Sequence, residues 1–154
     1  MIAWESTVPA AIDGLVAAFT TAEGLAGVVV LDGPEVREPS AMEVVSVGYP
    51  GADDEFAVDG SVSADGMASS PDLERYSVQC AAAVLDGSGN VRAARQRVYA
   101  LVAACGEAIA RDRTLGGAVL QATIGSTSLR QTQDSRGVTA TVVFSVDCDA
   151  FTSP

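Results

Sequence analysis

Three adjacent acidic residues, Asp53, Asp54 and Glu55, form the densest group of potentially reactive side chains in the sequence. Carboxylates this close together could bind a hard cation or act as a general acid and base pair. The surrounding segment is rich in glycine, serine and aspartate, and it offers no apolar pocket that would tune a carboxyl pKa. We therefore interpret the three acids, with the adjoining Phe56, as a solvent-exposed or partner-facing cluster and predict no metal site.

A second oxygen-rich segment, Asp86–Asn90, begins like a calcium-binding loop, with oxygen ligands at alternate positions. That loop also requires glycine at its sixth position and glutamate at its twelfth. Val91 and Arg97 occupy those positions, and an arginine cannot replace a bidentate carboxylate. The segment is instead typical of a turn between a strand and a helix, with Asn90 as the helix cap.

Two absences exclude most classes of enzyme. The 154 residues contain no histidine and no lysine. Without them the chain lacks the commonest general base, the usual ligand of catalytic zinc and the lysine of phosphate-binding loops. No Gly-x-Ser-x-Gly nucleophile motif is present either. We predict a protein without catalytic residues, metal or cofactor.

The three cysteines, Cys80, Cys105 and Cys148, are far apart and form no Cys-x-x-Cys motif. Each lies in a segment whose pattern predicts a buried strand or helix face. An odd number of cysteines in core segments indicates unpaired, reduced thiols.

The formal net charge of −11 is divided unevenly along the chain. Residues 1–74 hold fourteen acids and one arginine, whereas residues 75–154 hold six acids and eight arginines. An acidic balance of this size argues against tight binding to DNA or to an anionic membrane. Such a chain can instead pair head to tail with copies of itself, the acidic side of one copy meeting the basic side of the next. Alternatively, the charged faces are simply exposed to solvent. The candidate interface residues are Asp53, Asp54, Glu55, Phe56, Arg92, Arg95, Arg130 and Arg136.

Targeting signals are not evident in the sequence. The first residues carry no basic cluster followed by an apolar stretch, so we expect no signal peptide. No window approaches the 18 or more consecutive apolar residues of a membrane-spanning helix. We expect a soluble protein that is made in the cytoplasm.

The first half of the chain predicts one helix and two strands. The helix is expected from Pro9 to about Glu23, with Thr7 as its cap and an apolar face spaced at helical intervals. Short β-branched runs predict strands over 27–31 and 43–49. Residues 50–72 follow as a long acidic loop, which we expect to contact a partner or to hold a short hairpin.

The second half predicts a strand, a long helix and two further strands. Alternating residues indicate a strand over 75–84, and an apolar stripe predicts a helix over 91–111. Strands are expected over 120–124 and 138–148, joined by a polar connection that includes 131–137. The chain therefore reads as one α+β domain over 1–154, a mostly antiparallel sheet with two helices packed on one face and a long inserted loop at about 50–72.

This succession of segments resembles the tail-terminator proteins of long-tailed phages, particularly those of high-GC actinobacterial hosts. The resemblance rests on the order of the elements and on five turn-flanked segments. They are 28–34 (VVVLDGP), 45–49 (VSVGY), 74–80 (ERYSVQC), the helix over 91–113 and the final Gln/Thr-rich hairpin.

The resemblance implies a non-enzymatic virion protein that forms a ring, usually a hexamer, at the head-proximal end of the tail tube. It would end tube polymerisation, contact the major tail-tube protein and dock the tail to the head connector or stopper. The long loops would make subunit and tube contacts. Six copies of net charge −11 would form an acidic channel, through which DNA passes without being gripped.

Two other interpretations remain open at this point. One is another ring of the same neck, such as a head–tail stopper or tail-completion protein. The second is a soluble α+β domain that binds a small ligand, which would need converging polar and aromatic groups.

Overall fold

The computed structural model of the chain describes residues 5–34, 42–49, 55–64 and 71–152. Within these ranges the chain forms two α-helices, one short 3₁₀ helix and six strands. In chain order they are α1 (Val8–Thr21), the 3₁₀ helix (Glu23–Leu25), β1 (Val29–Asp32), β2 (Glu43–Val47), β3 (Val58–Ser63), β4 (Leu73–Asp86), α2 (Val91–Arg111), β5 (Gln121–Asp134) and β6 (Gly137–Phe151). The predicted α+β class is confirmed.

The six strands form one sheet in the order β1-β2-β4-β6-β5, and β3 pairs with β4 off this path. All pairs are antiparallel except β1 with β2. β2 pairs with residues 80–84 of β4 and β3 pairs with residues 73–78, so together they cover one side of that strand. With 14 residues, β4 spans about 45 Å and pairs with β6 along its whole length.

The core lies between the sheet and the two helices. Alternate residues of β4 and β6 are buried, as are Leu101 and Cys105 on α2 and Leu15 and Phe19 on α1. The predicted helix over 91–111 is confirmed, and Asn90 caps it by accepting a hydrogen bond from Ala93 N at 3.0 Å. This cap satisfies one of the amide groups that a helix start leaves unpaired.

Thr7 does not cap α1 with its own side chain, contrary to the prediction. Its hydroxyl is held by tertiary contacts instead, because Glu74 of β4 lies buried beside the start of the helix. Glu74 Oε1 accepts hydrogen bonds from Thr7 N at 2.9 Å and from Thr7 Oγ1 at 2.7 Å, and Glu74 Oε2 accepts one from Ser6 Oγ. Tyr76 Oη lies 2.8 Å from Thr7 Oγ1, and burial raises the pKa of this phenol to about 12.

Two polar segments differ from their predicted structure. Residues 58–63, predicted as part of the long loop, form β3, while 50–54 and 65–70 lie outside the described residues. β5 continues to Asp134, ten residues beyond the predicted end at 124, so only Ser135 and Arg136 connect it to β6. Both segments are largely exposed, so their sequences lack the apolar alternation that marks a strand with one buried face.

The three cysteines are free and buried, which confirms the prediction from their spacing. Burial raises the pKa of each thiol to about 12. Because the thiolate is the reactive form, labelling with a maleimide at pH 8 should be at least about 100-fold slower in the native protein than in denaturant. Three labels per chain should appear after denaturation, as measured by mass spectrometry. Rapid labelling of the native chain would show that the sheet and helices open far more readily than this packing implies.

Candidate assembly surfaces

One end of the sheet, here called the hairpin end, comprises residues 42–44, 86–97 and 129–139. It brings the start of α2 against the β5–β6 hairpin. Gln131 connects the two, since its Nε2 donates to Val91 O at 3.1 Å and its Oε1 accepts from Arg95 Nη1 at 3.3 Å. The turn of the hairpin is closed by Arg136, whose backbone N donates to Asp134 Oδ1 at 2.8 Å.

All four arginines of the predicted interface lie at the hairpin end. Arg92, Arg95 and Arg130 are exposed, and Arg136 forms an exposed ion pair with Asp134 at 3.1 Å. Arg130 pairs in register with Thr141 of β6, which places it on β5 beside the helix start. The structure therefore gathers residues that the sequence distributes over a helix, a strand and a turn. Their role in subunit contact stays a prediction.

A fifth arginine at this end, Arg97, was not among the predicted interface residues. Its guanidinium makes two hydrogen bonds to the Glu43 carboxylate, Nε to Oε2 at 2.5 Å and Nη2 to Oε1 at 3.0 Å. The hydrogen bond to Glu43 raises the pKa of Arg97. This pair fastens α2 to the start of β2, so Arg97 has a structural contact within the chain.

The opposite end, here called the acidic end, comprises residues 58–63, 72–77, 112–123 and 147–151. It carries six carboxylates and two arginines, whereas the hairpin end carries three carboxylates and five arginines. Among the acidic-end contacts, Ser77 Oγ donates to Asp147 Oδ1 at 2.7 Å and Arg75 lies 3.4 Å from Asp149. The two ends of one sheet therefore differ in the sign of their charge.

The described part of the predicted acidic cluster, Glu55 and Phe56, is separated from the four arginines. Asp53 and Asp54 lie outside the described residues, while Glu55 and Phe56 lie just before β3, separated from it by Ala57. Both are exposed, and Phe56 is 75% accessible, the most of any large apolar residue described. Because β3 and β5 lie on opposite sides of β4, Glu55 and Arg130 belong to opposite edges of the sheet.

The outer edge of β5 is long and irregular at one point. Its pairing with β6 shifts between Ile124 and Thr127, where Ser126 N donates to the Ser145 hydroxyl at 2.9 Å. Such a bulge bends a strand and increases its twist. The signal that could have revealed it is Gly125, since an isolated glycine in a strand often marks a bulge.

A groove of about 500 Å³ runs between α1 and α2. Its walls are small and apolar, with Gly14, Ala18 and Ala108 among the lining residues. The charged groups Glu107 and Arg111 at its rim pair with each other at 3.0 Å. The groove has the volume of a ligand pocket but lacks the converging polar groups that would orient a ligand.

No family model matches this chain, and no curated protein matches it either. Among solved structures, the chain is similar to one from a particle described as "Virion of native gene transfer agent (GTA) particle". The two share 13% sequence identity, with a TM-score of 0.45 and coverage of 88% of this chain and 84% of that chain.

No three carboxylates or thiols among residues 5–34, 42–49, 55–64 and 71–152 come together as metal ligands would. Neither α1 nor α2 is long and apolar enough to cross a membrane.

Proposed function

We propose that this chain is a non-enzymatic phage virion protein, a tail terminator that forms a hexameric ring on the head-proximal end of the tail tube. The ring ends tube polymerisation and docks the tail to the head connector. Its partners are further copies of itself, the major tail-tube protein and the connector or stopper. The protein is made in the host cytoplasm and resides in the neck of the virion.

The observation that supports this proposal is the difference between the two ends of the sheet. A tube grows because each added ring exposes the same surface to which it was added. A terminator must bind that surface while presenting a different one. If the ring axis follows the strands, the hairpin end with its five arginines forms one ring face and the acidic end forms the other. One face then binds the tube and the other meets the connector.

The channel of such a ring suits a DNA conduit. The chain has a net charge of −11, so six copies surround the passage with an excess of carboxylates. Phosphates are repelled by such a surface and slide past it without tight binding. This role requires no cofactor and no catalytic group.

The test is a phage in which the gene is disrupted. Without the protein, tails should be longer than normal and irregular in length, and heads should remain unjoined, as seen by electron microscopy. Supplying the wild-type gene in trans should restore joined tails of uniform length. Tails of normal length that fail to join heads would favour a head–tail stopper or completion protein. Normal, joined tails would contradict every neck assignment.

The small-ligand alternative is not supported by the groove between the helices. Its lining is dominated by glycine and alanine, and two of its four charged residues, Glu107 and Arg111, pair with each other. A ligand pocket of this size would ordinarily present several unpaired polar groups toward its interior.

A further inference from the structure

Two edges of the sheet have no strand beyond them within the described ranges. One is the edge of β5, and the other is formed by β3 and β1 on the opposite side. β3 is exposed at every residue except Val58, and the apolar Val62 is 46% accessible. Unpaired edges with exposed backbone groups favour the addition of another strand. Among residues 5–34, 42–49, 55–64 and 71–152, no strand of the same copy pairs with either edge.

The strand directions make the two edges compatible. β3 and β1 run opposite to β4, whereas β5 runs in the same direction as β4. A rotation about an axis along the strands places β5 of one copy antiparallel to β3 and β1 of the next. Antiparallel pairing gives the more stable ladder, and a contact between different edges can close into a ring.

The two edges also match in outline. β3 pairs with β4 only as far as Val78. Beyond that point the outermost strand on this side is β1, which lies one strand further from β4 because β2 separates them. The last residue of β1 pairs with Val47 of β2, and Val47 pairs with Cys80 of β4, so the end of β1 lies level with Cys80. The bulge in β5 lies at that same level, since Ile124 and Thr127 pair with the β6 residues opposite Val78 and Cys80. The bulge therefore bends β5 where the opposing edge has its step.

Charge favours unlike edges over like edges. Residues 29–32 and 55–63 carry Asp32, Glu55 and Asp59 and no arginine. Residues 121–133 of β5 carry Arg130 and no acid, and Arg95 lies beside them through Gln131. Two copies joined by identical edges would oppose like charges, which destabilises a strand pair.

We infer that β5 of one copy pairs antiparallel with the stepped edge of a second copy, residues 121–124 with β3 and residues 127–130 with β1. The inference rests on the proposed ring and states how its subunits join. Main-chain hydrogen bonds supply the affinity, while the opposite charges select the register. A sheet continued in this way from copy to copy leaves no open edge.

Cross-linking between two variants, each with one added cysteine, tests this pairing. Ser61 of β3 and Gln121 of β5 lie at the same height along the sheet, because the pairing across β4 and β6 connects them in register. Both residues are exposed. Paired strands lie about 5 Å apart, so a short bismaleimide can join cysteines at these positions. The native cysteines are buried and should not compete. We expect a mixture of Ser61→Cys and Gln121→Cys chains to give a cross-linked dimer, and either variant alone to give none.

The control replaces Gln121→Cys with Gln133→Cys, which lies about 40 Å further along β5 and should not cross-link to Ser61→Cys. Dimers from one variant alone would show identical edges in contact and would overturn the inference. A mixture that yields no dimer, or yields as much with Gln133→Cys, would overturn it as well. The gene-disruption phenotype does not depend on these cysteines. A terminator phenotype without the cross-link would therefore reject the edge pairing and leave the proposed function standing.

Discussion

Replacing Glu74 with alanine should lower the free energy of unfolding by about 2–4 kcal/mol, because a charged acceptor with several partners would be removed. The side chain is only 4% accessible and accepts hydrogen bonds from Thr7 N, Thr7 Oγ1 and Ser6 Oγ. Without it, these donors would be left beside the apolar start of α1. The carboxylate also lies at the positive end of the helix dipole, so its loss removes a favourable charge interaction. Urea denaturation monitored by circular dichroism measures the change.

Two matched variants separate the parts of this network. Tyr76→Phe removes only the hydroxyl contact to Thr7 Oγ1 and should cost about 1 kcal/mol. Glu74→Gln keeps the side-chain length but removes the charge, so its cost should lie between those of the other two variants. A Glu74→Ala protein as stable as the Tyr76→Phe protein would show that α1 is anchored by its buried face alone, through Leu15 and Phe19.

The elements that the sequence predicts best are those with one buried face. α2 was predicted over its observed length because an apolar stripe and the Asn90 cap are both local in the sequence. β6 alternates between buried and more accessible residues for the same physical reason, since one face of it meets the helices. Burial on one side imposes a period on the sequence, and the period can be read without the fold.

The elements that the sequence misses are those whose structure depends on distant partners. The cap of α1 comes from Glu74, which is 67 residues from Thr7, so no local motif marks it. β3 and the second half of β5 are exposed and polar, and they are strands only because β4 and β6 supply their hydrogen-bond partners. The sequence alone shows that the first half of the chain is acidic and that the second half holds most of the arginines. Only the register of the strands shows at which end and at which edge of the sheet these charges lie.

Replacing Gly60 with alanine should detach β3 from the sheet while leaving the core folded. A Cβ built at Gly60 would lie 2.4 Å from Arg75 O and 2.4 Å from the Tyr76 Cβ, so the two backbones cannot keep their present distance. Overpacking of this kind costs about 1–3 kcal/mol where the surroundings cannot yield. Here β3 can yield, because five of its six residues are exposed and little burial holds it in place.

Hydrogen exchange measured residue by residue gives the expected pattern for the Gly60→Ala variant. Amides of β3 should lose their protection, while those of α2 and of residues 137–146 in β6 should keep it, since they form the core on the far side of β4. Ser61→Ala is the matched control, because it changes the neighbouring residue without adding a Cβ.

If β3 forms half of the contact between copies, the Gly60→Ala change should also abolish cross-linking between Ser61→Cys and Gln121→Cys chains. Full protection of β3 in the Gly60→Ala variant would contradict this prediction. It would show that β4 can move aside for the added Cβ, so that the attachment of β3 does not depend on the close approach of the two strands at Gly60.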